Sequence, residues 1–246
     1  MPWDFALVLL FFATAVPIVG RRRMRQLMRT EKTTRADRLT LYASTAVFQW
    51  LSAALILWRT TARGIAPPSL GVAIPKPALT LTVTILLAAL ILANQLISLR
   101  RLALRPTEAQ GILPQLAMKV FPQDNPERLA FFALVVTVSI CEELIYRGFA
   151  QRVFQDLSGG IVAIGIVGSA LLFGIAHLYQ GRRGLVSTLL VGALFSWVRA
   201  LTGSVVPPLI AHFTADLTAG FLAPSRLRSV PIPTETEFGK NEPDRQ

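Results

Sequence analysis

The sequence predicts an all-α fold, a polytopic transmembrane helix bundle of about seven to eight spans, and two observations support that prediction. Of its 246 residues, 52% are hydrophobic and only 16% are charged, whereas a soluble domain has about 25% charged residues. The hydrophobic residues form seven long runs, most of which approach the roughly 20 residues that a helix needs to cross a bilayer. The runs cover residues 5–20, 39–58, 78–98, 129–154, 160–178, 185–198 and 205–223.

The same composition excludes three other classes of protein. A disordered chain is far less apolar, and a disulfide scaffold needs more than the single Cys141. The formal net charge of +11 would suit a nucleic-acid binder, but such a protein needs a water-facing basic surface. Too few residues are polar enough to build that surface, so no nucleic-acid partner is expected.

The basic residues instead predict orientation in the membrane. Lys and Arg accumulate in cytoplasmic loops, and segment 21–38 carries eight of them after the first apolar run. If this segment is cytoplasmic and the runs alternate, 19 of the 25 basic residues fall on the cytoplasmic side. We therefore expect a protein of the bacterial inner membrane, with its N-terminus outside, its first run retained as a span and its C-terminus in the cytoplasm.

The runs divide the chain into three segments. Residues 1–127 hold the first three runs and their loops, with a short interfacial helix expected around residues 115–120. Residues 128–223 hold the other four runs, and residues 224–246 are expected to form a disordered cytoplasmic tail. An eighth crossing would arise if the fourth run, or the region around Pro207 and Pro208, is broken in two.

Ionisable side chains inside membrane spans are costly and by default mark function. The second and third runs contain no charged residue, whereas the last four runs and their edges contain several carboxylates and arginines. The two histidines of the chain, His177 and His212, both lie in apolar runs. Any chemistry is therefore expected within residues 129–220.

The sequence Cys-Glu-Glu-Leu-Ile-Tyr-Arg at residues 141–147 continues the fourth run and is predicted to be helical. Glu143 and Arg147 are four residues apart and share a helix face, so an ion pair should hold one carboxylate ionised. Glu142 is rotated by about 100° and can face another partner. Adjacent carboxylates in a low-dielectric site should titrate separately, which suits a general base; a pair that only neutralises buried charge is the simpler alternative.

Two further motifs place a histidine four residues from a side chain on the same helix face. Phe173 and His177 end the fifth run, where the phenyl ring can pack beside the imidazole, although a histidine at a span end can also be merely interfacial. His212 and Asp216 lie in the seventh run, where the carboxylate can orient the imidazole, select its tautomer or share a metal with it. Packing alone does not explain such a pair in an apolar helix.

Together, Glu-Glu-x-x-x-Arg, Phe-x-x-x-His and His-x-x-x-Asp on three separate runs resemble the motifs of the CPBP family, the CAAX proteases and bacteriocin-processing enzymes. Members of this family are intramembrane endopeptidases and include the type II CAAX prenyl endopeptidase. The resemblance covers residues 129–223. It implies hydrolysis of peptide bonds in membrane-associated peptide or protein substrates, with CAAX-type C-terminal sequences as one such class and the lipid bilayer as the other partner.

The resemblance also implies roles for individual residues. Glu142 corresponds to the base that activates water, and His177 corresponds to its partner at that water. Glu143 and Arg147 correspond to the supporting ion pair. His212, with the residue four positions later, corresponds to the pair that stabilises the oxyanion.

Asp216 departs from the family's commonest pattern, which has Asn at this position. A carboxylate cannot donate a hydrogen bond to an oxyanion, so Asp216 must be protonated, orient His212 or bind a metal. The cofactor is accordingly open between two alternatives. Glu142, His177 and His212 could form a zinc site of three protein ligands plus water, or they could act without metal as in a glutamic-type protease.

The sequence supports other hydrolase motifs and other membrane functions less well. The sequence has no His-Glu-x-x-His or Gly-x-Ser-x-Gly motif, and Cys141 is expected to be a buried, inert thiol. A proton-coupled transporter would use Glu142, His177 and His212 as a proton relay, but the inverted repeats common in transporters are not visible. A non-catalytic scaffold or immunity protein of the same fold is a third alternative, and loss of Glu142 or His177 would have favoured it.

Overall fold

A computed structural model describes residues 2–104 and 113–227, and this part of the chain contains eight helices and no strand. Each of the seven predicted apolar runs forms a helix, and a short eighth helix lies between the third and fourth runs. The helices are α1 (Trp3–Arg29), α2 (Arg35–Ala62), α3 (Pro77–Ala103), α4 (Leu113–Val120), α5 (Asn125–Leu157), α6 (Val162–Ala176), α7 (Gly181–Thr202) and α8 (Val206–Leu227).

The helices are those of a membrane bundle, as predicted. Within the described residues, five are long and apolar enough to cross a bilayer: α1, α2, α3, α5 and the Gly184–Thr202 part of α7. Helix α6 is apolar but has only 15 residues, and α8 is long but carries His212 and Asp216. Seven or eight crossings therefore stay a prediction. Helix α5 runs unbroken for 33 residues, so an eighth crossing does not arise there.

Contacts between helix ends establish how the helices run. Asp4 at the start of α1 accepts from Arg59 and Arg63 at the end of α2, at 2.6 and 3.1 Å. Arg38 at the start of α2 donates to both oxygens of Glu127 at the start of α5, at 2.9 and 2.7 Å. Helices α1 and α2 are therefore antiparallel, whereas α2 and α5 run parallel.

Side-chain caps explain where α2 and α5 begin. Thr34 and Asp37 form a reciprocal capping box at the first turn of α2, which satisfies two backbone donors that the helix leaves open. The Asp124 side chain accepts from the backbone nitrogen of Glu127 at 2.8 Å. The N-cap of α5 therefore positions Glu127, the residue that binds Arg38 of α2.

A short 3₁₀ turn, Pro67–Leu70, packs against α5. Its backbone approaches Gly148 so closely that a Cβ there would lie 2.9 Å from the Leu70 carbonyl oxygen. The backbone nitrogen of Val205, between α7 and α8, donates to the Gly71 carbonyl at 2.8 Å. The loop between α2 and α3 is therefore attached to the second half of the chain.

The predictions for the short helix around residues 115–120 and for the C-terminal tail have different outcomes. A helix is present around residues 115–120, as α4, and its interfacial location stays a prediction. Helix α8 extends to Leu227 and so includes the first residues of the predicted tail. The rest of segment 224–246 lies outside the described residues.

Candidate active site

The centre of α5 is a π-helix, not the regular α-helix that the spacing argument assumed. The π segment covers Glu143–Ala150, and every one of its residues is buried. A π-helix closes its hydrogen bonds five residues apart, and such segments are rare and frequent at functional sites. The wider turn breaks the single-face pattern of an α-helix, so successive side chains reach different neighbouring helices.

Glu143 binds two donors from different parts of the chain through one oxygen. Its Oε1 accepts from Arg147 Nη1 at 2.8 Å and from His212 Nδ1 at 2.8 Å. Both Glu143 and Arg147 are fully buried. The predicted ion pair is therefore present, and it is also the point at which α8 is joined to α5.

Arg147 is surrounded by aromatic rings. Its guanidinium carbon lies 4.2 Å from the centre of the Phe173 ring and 5.3 Å from that of Phe195. A guanidinium over a ring face gains cation–π attraction, which is larger where water is excluded. These contacts hold the arginine in place although its Nε and Nη2 have no hydrogen-bond partner in the described part of the chain.

Glu142 faces a different helix from Glu143, as its angular offset predicted. Its Oε1 accepts a hydrogen bond from Gln49 Nε2 of α2 at 2.7 Å, and both side chains are buried. Its Oε2 has no hydrogen-bond partner among the described residues. One carboxylate is thus held by two basic side chains, whereas its neighbour is held by a single neutral amide.

His212 lies among three carboxylates. With Nδ1 bound to Glu143, its Nε2 faces Asp216 Oδ2 at 3.5 Å and Glu142 Oε2 at 4.0 Å. The Asp216 side chain is 40% exposed. These distances exceed those of direct hydrogen bonds, so both carboxylates lie near Nε2 without binding it directly, and the role of Asp216 stays a prediction.

His177 follows the last residue of α6 and contacts the other site residues through Phe173. Its Nδ1 lies 2.8 Å from the Phe173 carbonyl oxygen, and because a carbonyl only accepts, Nδ1 carries the proton. Its ring centre is 4.4 Å from that of Phe173, which is 6.1 Å from the ring centre of His212. This hydrogen bond leaves Nε2 as the ring nitrogen that is not bound to the Phe173 carbonyl.

Tyr179 packs beside His177 in the short turn between α6 and α7. The two ring centres are 5.7 Å apart, and the Tyr179 ring also approaches Gly20 of α1. Burial raises the pKa of the Tyr179 phenol to about 12. The Tyr179 ring therefore lies between His177 and α1.

The three side chains considered as zinc ligands are not grouped as a ligand set. Across residues 2–104 and 113–227, no three His, Cys, Asp or Glu side chains come together so as to hold a metal ion. His212 uses Nδ1 for Glu143, and His177 uses Nδ1 for a carbonyl. This leaves Nε2 of each ring as the remaining nitrogen, an arrangement that is also common in metal-bound histidines. The choice between a zinc site and a metal-free site stays a prediction.

Sequence reasoning missed Gln49 and the buried pair of Arg38 and Glu127. Gln49 and Arg38 belong to α2, outside the region expected to carry the chemistry, and Glu127 lies just before that region. The available signal was weak: Gln49 is the one amide side chain in the second run, and such side chains form hydrogen bonds between helices inside the membrane. Nothing in the sequence indicated which partner.

Comparison with known protein families agrees with the resemblance of the three motifs. The sequence model of the family Type II CAAX prenyl endopeptidase Rce1-like matches residues 124–218. The match includes all of the predicted site residues and excludes helices α1 to α3. No curated protein matches the chain, and no solved structure does so either.

Proposed function

We propose that this chain, whose residues 124–218 match the model of the family Type II CAAX prenyl endopeptidase Rce1-like, is an intramembrane endopeptidase that uses Glu142 to activate water. One observation supports the proposal above the others, the unequal environment of two adjacent carboxylates. Glu143 is bound by Arg147 and His212, whereas Glu142 keeps one oxygen without a partner among the described residues. Such a pair can divide structural and catalytic roles.

In the proposed reaction, Glu142 Oε2 takes a proton from water as the water oxygen attacks the peptide carbonyl carbon. The tetrahedral intermediate then loses its amine as the C–N bond breaks, and Glu142 returns the proton to that nitrogen. The products are a new carboxylate and a free amine. His177 Nε2 accepts a hydrogen bond from the same water and so orients it, which is the usual geometry of general-base catalysis.

His212 is proposed to stabilise the oxyanion of the intermediate. As an imidazolium it has two N–H donors, of which Nδ1–H is bound to Glu143. The Nε2–H then remains to donate to the oxyanion, a type of contact that is worth about 3–4 kcal/mol of transition-state stabilisation in other hydrolases. Asp216, whose Oδ2 lies 3.5 Å from Nε2, would stabilise the positive charge of the imidazolium without occupying this N–H.

The substrate is proposed to be a membrane-associated peptide, with a CAAX-type C-terminus as the first class to examine. The match to the family model supports this choice of substrate class. A fluorogenic peptide of that type, with and without a prenyl group on its cysteine, would be added to the purified full chain in lipid. The wild-type protein should release fluorescence, and Glu142→Gln should reduce the rate at least about 100-fold, the lower end of the usual contribution of a general base.

The control for this experiment is Asp156→Asn, which removes a carboxylate from an exposed ion pair with Arg152 on the same helix. It should cleave within about twofold of wild type, because exposed ion pairs contribute little. Both variants must keep the wild-type thermal unfolding midpoint. Equal cleavage by wild type and Glu142→Gln would refute the proposed role of Glu142.

We further propose that the reaction needs no metal, since the described donors are not grouped as zinc ligands. Incubation with a strong zinc chelator, followed by its removal, should leave the cleavage rate within about twofold of the untreated protein. Metal analysis of the same active sample should find less than one zinc per chain. A loss of activity that added zinc restores would contradict the metal-free reaction.

A further inference from the structure

We infer that Gln49 is a positioning residue for Glu142, so that the catalytic carboxylate is oriented by a helix outside the family-matched segment. The inference rests on the proposed function, because it concerns the same carboxylate. Gln49 belongs to α2, and Glu142 belongs to the segment that matches the family. Their hydrogen bond, at 2.7 Å, joins the two parts of the chain at the reactive group.

The burial of Gln49 requires an explanation that packing does not supply. Its side chain is 7% exposed in an apolar helix, where an amide without a partner would be costly. A leucine or methionine would fill the same volume without that cost. The carboxylate of Glu142 is the acceptor that satisfies the amide, and the amide in turn satisfies one of the two carboxylate oxygens.

The position of Gln49 along α5 is fixed by contacts on both sides. Arg38 and Glu127 tie the first turns of the two parallel helices together through two hydrogen bonds. Next to Gln49, the indole nitrogen of Trp50 donates to Thr137 Oγ1 at 3.2 Å. These contacts hold α2 and α5 in the register at which the Gln49 amide meets the Glu142 carboxylate.

The chemical consequence follows from the kind of donor that Gln49 provides. A charged donor such as Arg147 neutralises the carboxylate it binds, as at Glu143. A neutral amide fixes the rotamer of Glu142 and occupies Oε1 while leaving its charge in place. The Oε2 atom is then the one that faces the reaction, with His212 Nε2 at 4.0 Å.

The test compares Gln49→Met with Gln95→Met in the reconstituted full chain. Methionine removes the amide at similar volume. Gln95 is the matched control because its amide also donates a hydrogen bond to another helix, but to the backbone carbonyl of Ala215, at 3.1 Å, and not to Glu142. We expect Gln49→Met to lower kcat by about 10- to 100-fold, the effect of losing a hydrogen bond to a charged group. KM should change less than about threefold, and Gln95→Met should keep kcat within about threefold.

A spectroscopic measurement separates this inference from the proposed function. The infrared carboxylate band of Glu142 is obtained by subtracting the spectrum of Glu142→Gln from that of wild type. This band should shift in Gln49→Met and stay unchanged in Gln95→Met, whether or not any peptide is cleaved. An unshifted band, or an unchanged kcat in an active Gln49→Met protein, overturns the inference. A shifted band in a protein without hydrolytic activity supports the contact and overturns the proposed function alone.

Discussion

Two arginine–carboxylate pairs on α5 share the same spacing and differ in burial. Glu143 and Arg147 are fully buried, whereas Arg152 and Asp156 are 35% and 52% exposed. A buried charge that loses its partner keeps its full desolvation cost, whereas an exposed one is compensated by water. The two pairs therefore provide a direct comparison of what burial does to one interaction.

Arg147→Leu should lower the free energy of unfolding by about 3–5 kcal/mol, because it removes the buried guanidinium and leaves His212 as the one basic partner of Glu143 among the described residues. Arg152→Leu should lower it by less than about 1 kcal/mol. Denaturation of the purified variants in the same detergent, followed by tryptophan fluorescence, measures both values. Equal losses in the two variants would show that burial does not distinguish the pairs.

At the scale of single residues, the sequence predicted contacts within one helix but did not predict contacts between helices. The spacing of four residues was sufficient for Glu143 with Arg147 and for His212 with Asp216, because helix geometry alone brings such residues together. Gln49 and Glu142 are 93 positions apart. Their contact depends on which helices pack together, and apolar periodicity does not specify that.

At the scale of the element, α2 and α5 form a parallel pair held by polar contacts in an apolar surrounding. Arg38 and Glu127 are almost completely buried at the first turns of both helices. The π segment, Glu143–Ala150, begins directly after Glu142. The sequence predicted the helix but not its π geometry, because periodicity over one or two turns does not separate the two helix types.

Arg38→Leu should lower the free energy of unfolding by about 3–5 kcal/mol, since Glu127 is then buried without its cation. The double variant, Arg38→Leu with Glu127→Leu, should recover most of this loss, because two apolar side chains replace a buried pair at little cost. Unfolding measurements on both variants in one detergent check this. A double variant less stable than Arg38→Leu would show that the pair does more than compensate its own burial.

At the scale of the molecule, hydrophobicity predicted every long helix, and the contacts between helix ends agree with the alternation expected from the basic residues. The ion pairs of Asp4 with Arg59 and Arg63 bring the start of α1 to the end of α2. Run length could not give the number of crossings, because α6 has only 15 residues and α8 carries ionisable groups. Orientation relative to the cytoplasm rests on the charge distribution alone.

Single cysteines introduced into two loops test that orientation, because the native Cys141 is buried. Ala66→Cys, in the loop after α2, should react with a membrane-impermeant maleimide added to intact cells. Lys32→Cys, in the loop before α2, should react only after the membrane is permeabilised. The reverse labelling pattern would place the N-terminus in the cytoplasm and contradict the charge argument.

The proposed role of Glu142 as the base that activates water is tested most directly by mass spectrometry of a cleaved peptide in ¹⁸O-labelled water. Wild-type protein should yield an amine fragment and a carboxyl fragment that carries one labelled oxygen. Glu142→Gln, with an unchanged unfolding midpoint, should yield neither within the same time. Labelled product formed at the wild-type rate by Glu142→Gln would contradict the assignment.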